Sequence, residues 1–228
     1  MKKIKDNLST VIVTSLVIML HMLIGICLWN RLPEQVPVHF DFTGAVDGWS
    51  SRPFAVFGLP GIILAVHIFC MITVAVDPKE QGISDKIYKI VLWIAPLISV
   101  CISVLVYGNA LELPVDVVMI TQLFIGVLYC ILGNFMPKAR RNYTYGMRVR
   151  WALDSEKNWS HTNRIAGWCM IVGGFLFIIS GLTGALAGTG QSVFLITLFV
   201  AVIVMTMIPC FYSYFYYLKH REDEDYYE

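Results

Sequence analysis

Residues 137–164 read PKARRNYTYGMRVRWALDSEKNWSHTNR and form the longest polar stretch of a chain that is otherwise rich in apolar residues. This stretch, called the central segment below, holds seven of the seventeen lysines and arginines. It also carries aromatic residues of the kind that settle at the headgroup boundary of a bilayer, namely Tyr143, Tyr145, Trp151 and Trp159. Positive charge beside apolar helices fixes the side of a membrane on which a segment lies. The central segment is therefore predicted to face the cytoplasm.

The composition of the whole chain indicates an integral membrane protein. Hydrophobic residues make up 57% of the 228 residues and charged residues only 14%, whereas a soluble domain carries about 25% charged residues. The net charge of +1 says nothing about partners because the charges are segregated along the chain. The six cysteines fall in different apolar runs without a CxxC pair, which favours small buried side chains over disulfides or metal ligands. We expect neither a metal nor a cofactor.

Six apolar runs are each long enough to cross about 30 Å of hydrocarbon. They are predicted to be helical because lipid offers the backbone no other hydrogen-bond partner. The first run is too long for a signal-peptide core and lacks a cleavage site, which indicates an uncleaved span. The predicted spans are residues 9–29, 53–76, 88–108, 115–136, 165–187 and 192–217. The expected fold class is an all-α membrane protein with a small strand-like outward loop and an inner interfacial segment, and Pro96 and Pro209 are expected to kink their helices.

The distribution of positive charge predicts the orientation of these spans. With the N-terminus inside, fifteen of the seventeen lysines and arginines lie on the cytoplasmic side, and only Arg31 and Arg52 lie outside. This asymmetry follows the positive-inside rule and predicts a multi-pass protein with both termini in the cytoplasm. The acidic tail from Glu222 to Asp225 is expected to be solvated, the alternative being that it docks on the arginines of the central segment.

The loop at residues 30–52, NRLPEQVPVHFDFTGAVDGWSSR, is the second informative stretch and is predicted to face outward. Apolar residues alternate with other types across residues 36–42, the period-two pattern of an extended strand. The Thr-Gly pair 43–44 and the Asp-Gly pair 47–48 are turn signals, and Trp49 can hold the return to the membrane surface. We expect a compact cap on the outer surface. Its single histidine and its aspartates more often satisfy backbone groups in turns than bind a metal, so no metal site is predicted.

Within the central segment, the sequence predicts an irregular stretch followed by a helix. Pro137 should end the fourth span, and residues 142–150 are expected to be irregular or β-like. Asp154 resembles a helix N-cap, and Glu156 in the first turn complements the helix dipole. This helix is expected to lie at the membrane interface before it merges into the fifth span. The residues at helical spacing that support this are Trp151, Ser155, Trp159 and Thr162.

The fifth span carries a stripe of small residues. Small side chains on one stripe let another helix backbone approach closely. The stripe therefore predicts helix packing, either within the bundle or across a homodimer. Its members recur at intervals of seven, with one more near the same face: Gly167, Gly174, Gly181, Gly188 and Gly184.

Two of these stretches resemble known sequence signatures. The loop sequence LPEQVPVHFDFTGAVDGWSSR is similar to a small extracytoplasmic motif, LPxxVPxHFxxxGxxDGW, of many bacterial membrane proteins. Residues 133–167, GNFMPKARRNYTYGMRVRWALDSEKNWSHTNRIAG, resemble the signature of the SdpI family of bacteriocin immunity proteins. Two positions depart from that pattern: Arg150 stands where relatives often have proline, and Asn163 stands where they often have histidine.

The resemblance implies a six-span protein of the bacterial plasma membrane that gives resistance to a secreted antimicrobial peptide. It also implies a receptor whose cytoplasmic side sequesters a winged-helix transcriptional repressor at the membrane. The implied toxin-facing residues are His39, Asp41, Gly44, Asp47, Gly48 and Trp49. The implied partner-binding residues on the inner side are Asn134, Pro137, Asn142, Gly146, Arg148, Trp151, Trp159, Thr162 and Arg164. Residues 1–136 then hold four spans and the motif loop, and residues 137–228 hold the signature segment, the last two spans and the tail.

Other functional classes are weaker interpretations. A small-molecule transporter needs ionisable groups inside its spans, and the candidates are His21 and His67, with Asp116 at a span end. An orphan member of the same family is a further alternative. An enzyme with catalytic residues is not expected because HExxH, GxSxG and paired-aspartate motifs are missing. Direct nucleic-acid binding is not expected either, and the arginines can serve topology and anionic lipid heads alone.

Overall fold

The computed structural model describes residues 2–76 and 84–223, without the side chains of Lys2 and Gln191. Six helices in this part of the chain are long and apolar enough to cross a membrane, which confirms the six predicted spans. Most of the predicted loop between the second and third spans, and the tail beyond Asp223, lie outside the described residues. The helices are α1 (Lys2–Asp6), α2 (Leu8–Cys27), α3 (Leu59–Ala75), α4 (Asp85–Ala110), α5 (Val117–Phe135), α6 (Arg150–Asp154), α7 (Glu156–Ala187), α8 (Gly190–Val202) and α9 (Ile208–His220).

The surface of the long helices is apolar, as expected for helices in lipid. Large side chains such as Phe69 and Phe199 are 67% and 69% exposed. Such exposure is unfavourable in water but not in the hydrocarbon of a bilayer. Several small polar side chains of the spans, such as Thr14, Ser99 and Ser180, are buried instead. The chain is therefore a multi-pass membrane protein.

Two of the spans contain a π-helical turn just before a proline. Phe54–Gly58 precedes α3, which has a proline in its first turn, and Ile203–Met207 joins α8 to α9. Proline lacks the amide that a regular helix needs, and a π turn is one of the irregularities that accommodates this loss. A π turn thus precedes Pro209, whereas Pro96 lies inside the continuous helix α4, and the kinks expected at these two prolines stay predictions.

The described residues group into two compact units, and the first comprises Met1–Val76 and Tyr88–Thr121. Its helices carry a two-stranded hairpin, β1 (Gln35–Phe40) and β2 (Val46–Ser51). One face of the hairpin is buried against the helix ends, because Val36 is fully inaccessible. The buried cluster at this end is Leu32, Val36, Ala55, Val56, Val106 and Tyr107.

The mid-span histidines of the transporter alternative are both buried in this unit. His21 Nδ1 lies 3.2 Å from Ser99 Oγ, and His67 Nε2 lies 3.1 Å from Thr14 Oγ1. Each histidine thus forms its side-chain hydrogen bond with a hydroxyl group rather than with a carboxylate. Tyr107 also donates its hydroxyl to the His21 carbonyl at 3.3 Å. These contacts join three helices of the unit by hydrogen bonds, which is a structural use for polar groups in a membrane helix.

The second unit comprises Asp77–Ile87 and Gln122–Glu228, and α7 lies at its centre in contact with α6, α8 and α9. The glycine stripe of α7 packs against α5 within the chain. A Cβ atom at Gly167 would lie 2.6 Å from the Gly133 carbonyl oxygen, and one at Gly174 equally close to that of Gly126. Packing within the bundle is thus confirmed for Gly167 and Gly174. Gly188 has a different use, since it ends α7 with φ of +65°. The predicted division of the chain after residue 136 stays a prediction.

Candidate functional site

The turn of the hairpin is built around the side chain of Asp41. Asp41 Oδ1 accepts hydrogen bonds from the Thr43 hydroxyl (2.6 Å) and from the backbone N–H groups of Thr43 (2.8 Å) and Ala45 (3.0 Å). These bonds, that of the Thr43 hydroxyl first, hold the pKa of the Asp41 carboxyl below its usual value. Gly44 has φ of +83°, a conformation that residues with a side chain rarely adopt. The turn therefore needs a short acceptor at position 41 and glycine at position 44.

The strands of the hairpin form as predicted, but one turn signal is misplaced. β1 and β2 pair antiparallel, with Gln35 opposite Ser51. The Asp-Gly pair 47–48 lies inside β2, so the prediction of a turn there is wrong. The register shifts beside His39, and a Cβ atom at Gly48 would lie 2.8 Å from the His39 Cβ. Glycine is needed at this point for close approach of the opposite strand rather than for chain reversal.

The exposed face of the hairpin carries three of the predicted toxin-facing residues. His39 Nδ1 lies 2.5 Å from Asp47 Oδ1 across the strands, with the two side chains 72% and 45% exposed. Trp49 follows on the same side of β2, two residues after Asp47, and is 58% exposed. The hairpin thus holds an aromatic ring and a polar pair in a fixed arrangement at its accessible surface.

The central segment begins with a second turn, built around the side chain of Asn142. Asn142 Oδ1 accepts hydrogen bonds from the backbone N–H groups of Thr144 (2.9 Å) and Tyr145 (2.6 Å). Its Nδ2 donates to the carbonyls of Arg140 and Tyr145 at 2.8 and 2.9 Å. Asn142 is fully buried, and residues 139–149 are irregular, as predicted. Hydrogen bonds to one amide side chain thus take the place of the backbone-to-backbone hydrogen bonds that a helix or strand would supply.

The C-terminal part of α5 fixes the central segment through further contacts. Tyr145 donates its hydroxyl to the Leu132 carbonyl at 3.0 Å, and burial raises the pKa of Tyr145 to about 12. Pro137 lies just past this helix, where its ring would be 3.0 Å from a Cβ atom at Gly167. Of the predicted site residues here, Pro137 is thus close to α7, whereas Asn134 is exposed.

The centre of the segment is a close contact among Gly146, Trp159 and Asn163. Gly146 has φ of +121°, and a Cβ atom there would lie 2.7 Å from Asn163 Oδ1 and 2.8 Å from the Trp159 ring. Trp159 Nε1 donates to the Ala139 carbonyl at 2.8 Å, and the Met147 N–H donates to Asn163 Oδ1 at 2.7 Å. Trp159 is only 1% exposed, so its predicted position as an interfacial aromatic is wrong. It instead holds the loop on α7.

The helix after this loop begins one residue later than the sequence predicts. Ser155, and not Asp154, is the N-cap of α7, because the Asn158 N–H donates to Ser155 Oγ at 3.3 Å. Asp154 ends α6 and lies 3.8 Å from Arg150. The predicted acidic residue in the first turn, Glu156, is in place. A cap by serine leaves the Asp154 carboxylate available to that arginine.

A buried hydrogen-bond network joins α7 to α9. Asn158 Nδ2 donates to the Ser213 carbonyl at 3.0 Å, and the Ser213 hydroxyl donates to Asn158 Oδ1 at 3.0 Å. The Thr162 hydroxyl donates to the same oxygen at 2.8 Å. Thr162 therefore belongs to this network and not to the contact around Trp159. Trp151, the remaining predicted aromatic, packs on Tyr214 of α9 with ring centroids 4.9 Å apart.

The arginines of the central segment are held to different degrees. Arg141 Nε lies 3.3 Å from a Glu156 carboxylate oxygen. Arg148 donates to the Tyr143 carbonyl at 2.6 Å, and its side chain remains exposed. Arg164 is exposed on α7. The positive charge of Arg148 and Arg164 is therefore accessible at the surface of this unit.

Comparisons with known proteins fall on the same two stretches. The SdpI/YfhL protein family matches residues 138–213, and a domain of unknown function (DUF1648) matches residues 16–64. The Immunity protein SdpI of Bacillus subtilis (strain 168) is 28% identical over 212 residues, which are 91% of this chain and 96% of that protein. The chain is similar to the SdpI/YfhL protein family in its C-terminal half and to this immunity protein over most of its length. No solved structure matches it.

The SdpI family match covers the whole second half of the site described above. The Asn142 turn, the Trp159 contact and the Asn158–Ser213 network all lie within residues 138–213, and the hairpin lies within the DUF1648 match. The six spanning helices make the chain a membrane protein, and the proteins that it resembles include an immunity protein.

Three residues that organise the site are not among the site residues predicted from the sequence. They are Asn158, Asn163 and Ser213, which are all buried and hydrogen-bonded. Asn158 and Asn163 flank Trp159 and Thr162 at helical spacing, and this spacing is the signal that could have found them. Ser213 is separated from Asn158 by 55 residues, so no local pattern connects the two.

Proposed function

We propose that this chain is an immunity protein of the bacterial plasma membrane that protects its host from a secreted antimicrobial peptide. The observation that carries the proposal is the similarity to Immunity protein SdpI over 91% of the chain, which includes both the hairpin and the central segment. The alternatives are a small-molecule transporter and a family member without an immunity role.

The proposed peptide-facing surface is the exposed face of the hairpin. His39, Asp47 and Trp49 share that face, and Trp49 offers a large apolar ring for contact. Aromatic residues in a rigid setting are the usual centres of binding energy in interfaces, because little freedom is lost when they bind. Asp41, Gly44 and Gly48 act indirectly here: they shape the turn and the strand contact that hold the other three residues.

The proposed inner surface is the central segment, with the exposed Arg148 and Arg164 as its charged residues. Positive side chains at a surface steer and orient an acidic partner. The partner that the family resemblance implies is a winged-helix repressor, sequestered while the peptide occupies the hairpin. Buried residues such as Asn142 and Trp159 would support this surface without touching the partner.

Survival tests the immunity function. The chain should be expressed in a sensitive bacterial strain, which is then challenged with the peptide toxin of the Bacillus subtilis immunity system and with culture supernatants of peptide producers. We expect growth where the empty vector gives none. Trp49→Ala should remove the protection at unchanged membrane levels, whereas Glu34→Gln, an exposed change next to the hairpin, should retain it. Protection that survives Trp49→Ala would remove the hairpin from the proposal, and no protection against any peptide would overturn it.

Cysteine labelling in intact cells tests the proposed sidedness. One cysteine would be introduced in place of Ser51 on the hairpin, and in a second variant in place of Ser160 on α7. Both positions are exposed. A membrane-impermeant maleimide should label the first in intact cells and the second only after lysis. The parent chain serves as background for its own six cysteines. Labelling of both positions from the same side would contradict the proposed receptor geometry.

Recruitment of a repressor is tested separately. A tagged winged-helix regulator encoded beside the protein should move to the membrane fraction when peptide is added. Arg148→Gln combined with Arg164→Gln should abolish this movement while toxin survival persists. Arg31→Gln, a charge change predicted to lie on the other side of the membrane, is the matched control. Equal recruitment by the double variant would assign these arginines to topology and lipid contact alone.

A further inference from the structure

A groove at the end of the last span takes no part in the sites described so far. It has a volume of about 480 Å³ and is formed by one residue of α7 and five residues of α9. We call it the α9 groove. Its lining residues are His161, Tyr212, Phe215, Tyr216, Lys219 and His220.

The polar side of the α9 groove is basic and carries no carboxylate. Lys219 is exposed and has no ion-pair partner among the residues that the structure describes. His161 and His220 both stack on the Tyr216 ring, with centroid distances of 5.3 and 4.2 Å. His220 is held further by a hydrogen bond from its Nδ1 to the Tyr216 carbonyl at 2.9 Å. The groove thus has a flexible cationic side chain above a fixed stack of rings.

The other side of the groove opens onto the apolar surface of α9. Phe215 lines the groove and is itself 63% exposed, and Phe211 lies one turn earlier on the same helix face. α9 is the last part of a helix long and apolar enough to span a membrane, so the exposed rings of Phe211 and Phe215 lie on a surface suited to lipid acyl chains. The groove therefore joins a cationic group to a lipid-facing apolar surface within one helical turn.

We propose that the α9 groove is a binding site for the headgroup of an anionic phospholipid. Lys219 pairs with the lipid phosphate, the tyrosines lie at headgroup depth, and one acyl chain runs along Phe215 and Phe211. A free phosphate would use Lys219 but would leave the aromatic side of the groove unused. The proposal concerns a site outside the hairpin and the central segment, and it does not depend on the immunity function.

Lipid titration of the full-length chain in detergent tests this site. Binding of dioctanoyl phosphatidylglycerol, dioctanoyl phosphatidylcholine and inorganic phosphate would be measured by native mass spectrometry. We expect phosphatidylglycerol to bind preferentially, and Lys219→Gln to weaken it about fivefold, as for the loss of one basic group at an anionic membrane surface. Phe215→Ala should weaken the lipid as well. Arg150→Gln is the matched control, because this arginine side chain is 90% exposed but lies on α6.

The results of these binding measurements distinguish an anionic lipid site from the other possible ligands of the α9 groove. A selective loss in Lys219→Gln, with Arg150→Gln within about twofold of the parent, supports the site. Equal binding of phosphatidylcholine would show an apolar contact without recognition of charge and would overturn the proposal. Binding of inorganic phosphate as tight as that of the lipid would assign the groove to a free anion. Lipid binding that appears only after removal of residues 222–228 would identify the acidic tail as the occupant.

Discussion

The hairpin and the central segment each contain a turn held by an Asp or Asn side chain, but the surroundings of the two turns differ. In each, an Asx oxygen accepts the N–H of a threonine two residues later, Asp41 from Thr43 and Asn142 from Thr144. A glycine with positive φ follows in both cases. The acidic version stands at the exposed tip of the hairpin, and the amide version is fully buried.

The difference shows how the two regions divide their tasks. A carboxylate at the hairpin tip stays in water, and the hairpin also keeps the Trp49 ring accessible further along β2. In the central segment an uncharged amide is required, because a buried charge without a partner is costly. The buried polar residues there are therefore mostly structural, and loss of function on their substitution would follow from loss of structure. The predictions below separate the two regions by this criterion.

The largest effect is expected for Gly146→Ala in the central segment. The new Cβ atom would strain the backbone at φ of +121° and meet both Trp159 and Asn163. Strain and overpacking together should lower the free energy of unfolding by about 2–4 kcal/mol. Unfolding in sodium dodecyl sulfate, followed by tryptophan fluorescence, measures the loss.

Two glycine variants serve as controls for this change. Gly44→Ala introduces strain at φ of +83° in the hairpin, but its Cβ atom would meet mainly Val118 Cγ2 at 3.0 Å, so a smaller loss is expected. Gly61→Ala in α3 meets nothing within 4 Å and should leave stability unchanged or slightly higher. Equal losses at positions 146 and 44 would contradict the expectation that the central segment is more tightly packed around its glycine than the hairpin turn is.

The next effect comes from removing the two Asx side chains. Asn142→Ala leaves two buried N–H groups without their acceptor and should cost about 2–3 kcal/mol. Asp41→Ala exposes the corresponding N–H groups to water, which replaces the lost bonds, so about 0.5–1 kcal/mol is expected. The same unfolding assay compares the two. A cost at position 41 as large as that at position 142 would show that the hairpin is not the more solvated region.

The six spans and the strand of the hairpin could be predicted because their signals are local. Length and hydropathy define a span, and period two defines a strand, whatever the rest of the chain does. The Asp-Gly pair 47–48 was ambiguous on physical grounds, since glycine permits a bulge in a strand as readily as a turn. The structure resolves this through the opposite residue, His39, which no local pattern specifies.

The position of Trp159 illustrates what could not be predicted. A tryptophan beside polar residues at the end of a span has the same pattern whether it faces lipid headgroups or the interior of the protein. The burial of Trp159 is decided by the loop that lies over it. In this loop Gly146 permits the close contact and the Ala139 carbonyl accepts the indole hydrogen bond. The residues that complete this contact lie 13 and 20 positions away in sequence. Such long-range contacts leave no periodic signal.

The response to pH should also differ between the two regions. Burial raises the pKa of Tyr145 to about 12 in the folded protein, whereas an unfolded tyrosine titrates near about 10. The unfolded state therefore releases its proton first as pH rises, and stability contributed by this residue is lost between about pH 10 and 12. Tyr145→Phe should flatten this alkaline loss of stability, measured as the free energy of unfolding across that pH range.

The contribution of Asp41 to stability depends on pH in the opposite direction, because it is lost as pH falls rather than as pH rises. Its pKa is lowered in the folded state, so its contribution is present above the pKa of the unfolded chain and is lost as pH falls through the folded value. Asp41→Asn should remove this part of the loss of unfolding free energy at low pH without changing the loss at high pH. An unchanged acid limb in Asp41→Asn, or an unchanged alkaline limb in Tyr145→Phe, would contradict the assignment of these two groups.

The smallest effect on stability is expected at the exposed pair of the hairpin. His39→Gln and Asp47→Asn each remove one partner of a contact whose side chains are 72% and 45% exposed. Exposed pairs contribute between about 0 and 1 kcal/mol, so the unfolding curves should almost coincide with that of the parent. Under the proposed function, the same variants should nevertheless lower survival on peptide challenge, because they change the surface that the peptide meets. A double-mutant cycle in both assays separates the two readouts. Coupling in survival without coupling in stability would assign the pair to recognition, and coupling in stability alone would make the hairpin face as structural as the central segment.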